Sequence, residues 1–276
     1  LSALPSNPRP EGDQPPRAQS PGSDWVPAYF GPAYRSLYRQ LVDRQEDLRA
    51  AARWIADTLH WGPEDWLLDL ACGYGRHLCH LVQRPGRWIG LDVLADQLRE
   101  AQADLPPGRV ALVQGDMFGL PLRSGSLTAV LLLFNSFGYR PRGDGIGDEP
   151  ERRLLDEIAR VLRPRGRALL ELPNRENIAR AVAEQPRTVL SQGDERIIDE
   201  WRLSHGGRLL HGDSIFQCGG KSEHHDFTVR LFTLTEISGL ALGAGLRPSA
   251  VWGDLAGTPH RGADSEQLVV ALERTA

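Results

Sequence analysis

The chain has one lysine, Lys221, among its 32 basic residues. Its positive charge is almost all arginine, a bias that reflects coding preference and marks no site. Cysteine is scarce as well. Cys72, Cys79 and Cys218 form no disulfide framework, and Cys72 and Cys79 are too far apart for a CxxC pair, so buried free thiols are expected. No HxH, HxxxH or CxxC spacing occurs, which removes the usual metal-ligand patterns. Long apolar runs are missing too. The longest, Ala129 to Phe134, falls far short of the ~20 residues of a spanning helix. With no apolar leader stretch at the start, a cytoplasmic protein without membrane contact is expected. Excess positive charge is also absent. The net charge of -4 argues against a general nucleic-acid binder, which needs a basic surface. What remains, 41% hydrophobic and 25% charged residues, is the composition of a globular domain.

Residues 1 to 24 carry Pro5, Pro8, Pro10, Pro15, Pro16 and Pro21 with few large apolar side chains, which predicts a disordered tail. The domain proper is expected over 25–276, opening with a lid and helix over 25–62. Leu37, Leu41, Leu48, Ala52, Ile55 and Leu59 recur at helical spacing, predicting one long helix stopped by Gly62-Pro63. Short apolar runs then alternate with helical segments from Trp66 to Leu172, the rhythm of a parallel sheet. Over 186–233 the rhythm changes. Glu195–Leu203, Arg208–His211, Ser214–Cys218 and Phe227–Phe232 are strand-like pieces separated by Gly206-Gly207 and Gly219-Gly220, which predicts an inserted antiparallel extension. Thr233 and Glu236 then form a capping-box pattern that opens a further helix.

The sharpest motif is Leu67-Leu68-Asp69-Leu70-Ala71-Cys72-Gly73-Tyr74-Gly75-Arg76, a strand entering a glycine turn. Glycine there lets backbone approach a ligand. A dinucleotide fingerprint would place a third glycine at position 78, where Leu78 stands, and this weakens a pyrophosphate reading. An acid inside the strand suits a ligand with an ammonium group, which Asp69 can receive. Asp92 ends the second strand, where a carboxylate accepts from ribose hydroxyls, and Asp116-Met117 ends the third, where adenine can be met. A single strand-end aspartate commonly only caps a loop. Three at successive strand ends point to one ligand.

These residues, with Gly90-Leu91-Asp92, Gly115-Asp116-Met117, Phe134-Asn135-Ser136-Phe137-Gly138-Tyr139 and Val161-Leu162-Arg163-Pro164-Arg165-Gly166, give the chain from about Phe30 to Leu272 its resemblance to a family. It resembles the class I S-adenosylmethionine-dependent methyltransferases, and a bacterial small-molecule subgroup of them. The resemblance implies an α/β fold: a Rossmann-like seven-stranded sheet with helices on both faces and the antiparallel insertion. It implies S-adenosyl-L-methionine as cofactor, with Asp69, Gly73 and Gly75 around the methionine part, Asp92 on the ribose, and Asp116 with Met117 on the adenine. Ala71, Cys72, Val93, Gly115 and Phe134 complete that set. Two departures stand out: Arg165, where the family often has glycine, and a glycine-rich loop from Arg140 to Glu149 that is longer than usual.

Methyl transfer is an in-line displacement onto a small-molecule acceptor, so alignment and desolvation supply much of the rate and no conspicuous catalytic motif is required. Asn135 and Tyr139, just past the fourth strand, are candidates to meet the acceptor, and Tyr139 to orient it. Tyr34 belongs to an aromatic set (Tyr29, Phe30, Tyr34, Tyr38) expected to form the lid. Arg175 could hold an acidic acceptor group or form a surface ion pair. His224 and His225 are expected in a polar turn and point apart if in a strand, so they cannot chelate one ion. One of them, His225, is a candidate base facing the cleft. Two other functions share parts of this pattern: a protein that binds S-adenosylmethionine as a sensor or scaffold, and a nucleotide-dependent oxidoreductase.

Overall fold

A computed structural model describes residues 25–140 and 145–275; the proline-rich segment 1–24 lies outside the described residues. The chain opens with α1 (Trp25–Tyr29), α2 (Pro32–Leu41) and α3 (Gln45–Leu59). The single long helix expected here is two, separated by an elbow at Val42-Asp43-Arg44. The cause lies in the distant chain. Asp43 turns its carboxylate inward, where it accepts from the Tyr74 hydroxyl at 2.8 Å and pairs with Arg76, while Arg44 takes the extended backbone that caps α3.

From there β1 (Trp66–Leu70), α4 (Leu78–Leu81), β2 (Arg87–Asp92), α5 (Ala95–Asp104), β3 (Val110–Gln114) and β4 (Leu127–Leu132) alternate as the apolar runs predict. The helix expected from Arg76 shrinks to the single turn α4, because residues as far as His77 are taken up by the glycine turn. After β5 (Tyr139–Arg140) come α6 (Glu149–Val161), β6 (Leu162–Pro173) and α7 (Arg175–Glu184). Arg165, within β6, has a φ of 62°, a left-handed conformation that glycine would adopt without penalty.

Next come β7 (Arg187–Gln192), β8 (Glu195–Ser204), β9 (Leu209–Cys218) and β10 (Lys221–Arg230), then α8 (Leu234–Gly243), β11 (Leu246–Trp252) and β12 (Gln267–Arg274). Thr233 and Glu236 cap α8 reciprocally. Two corrections fall here. Arg208–His211 and Ser214–Cys218 are one strand, since Gly212 does not break it: a side chain at 212 would collide with the Phe227 ring packed over it. His224 and His225 lie in β10, not in a turn, because the hairpin at Gly219-Gly220 lets β10 pair with β9 from Lys221 onward.

The main sheet has the order β11-β12-β6-β4-β1-β2-β3 and is parallel except for β12, which runs antiparallel to both neighbours. Both faces are covered. Leu68, Leu70, Val130 and Leu132 pack with α6 and α8 on one side, and Leu67, Ala129 and Leu131 with α3, α4 and α5 on the other. The chain moves outward from β1 through β2 to β3 and returns on the opposite flank as β4. The reversal opens a crevice at the carboxyl ends of β1 and β4. The second sheet, β5-β10-β9-β8-β7, is antiparallel and carries α1 and α2 on an apolar face of Ile197, Leu210, Phe216, Phe227 and Val229. Among the described residues, no helix is long and apolar enough to cross a membrane.

Leu131 is fully buried at the middle of the main sheet. Leu131→Ala should therefore cost about 2 to 5 kcal/mol in urea denaturation, whereas Leu242→Ser, at an exposed position, should change stability by less than about 0.5 kcal/mol.

Candidate active site

The crevice holds a cavity of about 480 Å³, roofed by α1 and α2. Its floor is the turn between β1 and α4. Gly73 has a φ of 56°, and a Cβ there would stand 2.7 Å from the Gln97 side-chain oxygen, so the residue type and the space are matched. The Gly73 N–H donates to one oxygen of Asp92 at 2.8 Å and the Leu94 N–H to the other at 2.9 Å. The Val93 N–H also bonds this carboxylate, which with about four lone-pair sites keeps room for a further donor.

Asp69, Ala71, Cys72, Gly73, Asp92, Val93, Gly115, Asp116, Met117 and Phe134 all line this cavity. Gly75 does not. A Cβ there would press on Ala101 of α5 at 3.3 Å, so its glycine serves the packing of the turn. Val93 is unusually exposed for its type and, with Met117 and Phe118, gives the far end an apolar surface. Asp116 turns the chain after β3 by accepting the Phe118 N–H.

The electrostatics of the floor are set by burial. Loss of solvent, reinforced by the charge of Asp92, pushes the Asp69 carboxyl up to about 7. Burial raises Asp92 too, opposed by the backbone N–H groups that it accepts. His77, also in the lining, is held down to about 3 by burial and then by Arg76 and His80, so it is a neutral imidazole.

Among the acceptor-side candidates, Tyr34 and Tyr139 line the cavity, and burial pushes both phenols well above their ordinary range. They stay protonated donors. Trp25 stacks on Tyr139 with ring centres 5.7 Å apart, and Phe30 meets Tyr139 and Tyr34 edge-on at 5.6 and 5.0 Å. The lid is tied down from α5. Gln97 donates to the Phe30 carbonyl at 3.2 Å, and buried Arg35 pairs with Asp96 and Glu100.

Three candidates lie elsewhere. His225 is under α1, edge-on to Tyr29 and 3.3 Å from the Glu223 carboxylate, outside the cavity lining. Arg175 is bound by Glu236 and the Gly206 carbonyl, the ion-pair alternative. Asn135 adjoins the wall but is not in the lining, and its side-chain oxygen is buried with no partner. Sequence reasoning assigned no role to Arg76, Gln97, Phe118 or Trp25. The position of Arg76 directly after the glycine turn was the one available signal.

A family model described as a methyltransferase domain matches residues 67–166. The dTDP-3-amino-3,4,6-trideoxy-alpha-D-glucopyranose N,N-dimethyltransferase of Streptomyces venezuelae is 37% identical over 108 residues, 38% of this chain and 44% of that protein, so the match spans less than half of that relative. The cypemycin N-terminal methyltransferase of a Streptomyces species is 29% identical over 75% of this chain and 82% of its own length. Among solved structures, the CcbJ methyltransferase of Streptomyces caelestis shares the fold, with a TM-score of 0.74 at 20% identity, covering 90% of this chain and 98% of that one.

A carboxyl raised by burial makes the ligand-free protein less stable as pH climbs. The unfolded chain loses the Asp69 proton near pH 4 and the folded chain near 7, so the penalty grows between those values and is constant above. Asp69→Asn should be more stable than the parent at pH 8.5, by an order-of-magnitude 2 to 4 kcal/mol, with the gap closing toward pH 4. Chemical denaturation across that range measures it, and a pH-independent gap would contradict the assignment.

Proposed function

We propose that the chain is an S-adenosylmethionine-dependent methyltransferase and that it methylates an amine nitrogen of a small molecule seated beneath the aromatic lid. The observation that carries the reading is the gathering of the glycine turn and three strand-end carboxylates in one cavity. The residues fit the cofactor. Gly73 leaves the space that a Cβ would fill, Asp92 keeps acceptor capacity beyond the turn, and Val93, Met117 and Phe118 offer an apolar seat for a flat ring. Asp69 would take the ammonium group, Asp92 the ribose hydroxyls and Asp116 the adenine amino group.

When bound, S-adenosylmethionine supplies a methyl group on a positively charged sulfur, which leaves as a neutral thioether as the new bond to the acceptor forms. The protein's contribution is placement and exclusion of water. Trp25, Phe30, Tyr34 and Tyr139 present aromatic faces and edges to the acceptor space, and such faces favour a cationic nitrogen. Tyr34 and Tyr139, kept protonated by burial, orient the acceptor by hydrogen bonding and do not act as bases. An amine is favoured over a hydroxyl because a neutral amine attacks without prior removal of a proton. Two relatives support nitrogen as the acceptor atom, one an N,N-dimethyltransferase and the other an N-terminal methyltransferase.

Calorimetry with S-adenosylhomocysteine and NADH tests the cofactor assignment. The former should bind and the latter should not, and tighter binding of NADH would overturn it. Gly73→Val should abolish binding, and Asp92→Ala should weaken it by about 1 to 3 kcal/mol through lost charge-assisted bonds. An ammonium at Asp69 stabilises the carboxylate, so affinity should rise up to ~10-fold per unit as pH climbs toward 7 and level off above it. For the acceptor, labelled methyl transfer to a panel of amines and matched alcohols should label only the amines. Tyr139→Phe should slow that labelling while leaving S-adenosylhomocysteine affinity within about twofold.

A further inference from the structure

The cavity wall between the glycine turn and the lid is made by a segment in a costly conformation. Phe134 and Asn135, consecutive and neither of them glycine, have φ of 54° and 58°. The left-handed region is unfavourable for a phenylalanine side chain and less so for asparagine, so it is the Phe134 conformation that persists only where surrounding contacts over-determine it. Three contacts converge on Phe134. Its backbone N–H donates to the Glu171 carboxylate at 2.6 Å, its ring lies beneath the Arg76 guanidinium at 3.4 Å, and the Tyr38 ring meets it edge-on at 5.9 Å.

Glu171 is out of keeping with its surroundings. It sits in β6 among Leu169, Leu170 and Leu172, all fully buried, and is itself buried. A carboxylate in such a place is expensive unless it is bound. Burial, with a smaller push from the Asp254 charge, raises its carboxyl above the ordinary range, opposed by the Phe134 N–H that it accepts and then by the nearby Arg76 charge. Arg76 is in turn tethered to Asp43 at the lid elbow. The elbow, the guanidinium, the Phe134 ring and the β6 carboxylate thus form one connected line.

We propose that Glu171 is a positioning residue, whose carboxylate holds the Phe134-Asn135 turn in its left-handed shape and so gives the methyl-transfer cavity its wall. What matters is the acceptor atom at the end of a glutamate-length side chain. Glutamine preserves that atom without the charge. Aspartate preserves the charge but withdraws the oxygens by about 1.5 Å, one carbon–carbon bond. The proposal rests on the methyl-transfer reading in its ligand measurement alone.

The test uses the full chain with Glu171→Gln, Glu171→Asp, Phe134→Gly and the double variant Phe134→Gly/Glu171→Asp. Amide hydrogen exchange at residue 134, followed by NMR, should be faster by about tenfold or more in Glu171→Asp and within about threefold of the parent in Glu171→Gln. The dissociation constant for S-adenosylhomocysteine should follow the same order, roughly tenfold weaker with Asp and within about threefold with Gln. Glycine adopts the left-handed shape without help, so in the Phe134→Gly background the Asp substitution should cost less than about twofold. Equal losses for Gln and Asp, a larger loss for Gln, or an undiminished Asp effect in the glycine background would each overturn the proposal. If the parent protein fails to bind S-adenosylhomocysteine, the cofactor reading falls, while the exchange measurement still decides the role of Glu171.

Discussion

The hydrogen bond from the Gly73 N–H to the Asp92 carboxylate is the contact on which the site is built. It ties the turn after β1 to the end of β2, fixing the floor relative to the next strand over. A side chain at 73 would strike Gln97, and Gln97 holds the lid through the Phe30 carbonyl. The floor, α5 and the lid are therefore one mechanical unit. Displacing the turn would shift the helix that docks the roof.

The second sheet explains how a protein with one continuous main sheet can close such a cavity. Ile178 and Val182 of α7 pack at its apolar face, and α1 and α2 cover it with Tyr29, Tyr34 and Leu37. In doing so they carry Trp25, Phe30 and Tyr34 over the crevice, while β5, paired to β10, brings Tyr139 from the other side. The burial that stabilises the second sheet is thus the same burial that forms the aromatic roof. A cluster of this kind is difficult to change for substrate preference without a cost in stability.

Much of the floor was legible in the sequence because its requirements are imposed residue by residue. A backbone position that demands glycine and strand ends that demand an acid leave marks at fixed spacing, as Gly73, Asp69 and Asp92 do. What escaped was set by partners remote in the chain. Asp43 sits in an unbroken helical pattern, and Tyr74 and Arg76, 31 and 33 residues later, turn it inward to make the elbow. The gap between the pieces ending at His211 and starting at Ser214 closes into one strand once Phe227 is seen lying across Gly212. His225 has the chemistry of a base, but its strand register places it under Tyr29, away from the cleft. Glu171 gave no signal at all, since its significance lies in the backbone conformation of Phe134.

The charge arrangement of the cavity follows from the same geometry. Asp69 and Asp92 are buried close enough for the Asp92 charge to raise Asp69, so the floor carries a repulsion that a cationic ligand relieves. The roof opposite has aromatic faces and phenols that remain neutral at ordinary pH. Such a cavity discriminates by charge at both ends: carboxylates at the floor favour an ammonium group, and the quadrupoles of the roof favour a positive centre without fixing it by an ion pair. In methyl transfer to an amine the positive charge passes from sulfur to nitrogen while the total in the cavity is unchanged. A roof of neutral aromatics suits that reaction, since it can stabilise positive charge at either atom as the charge moves.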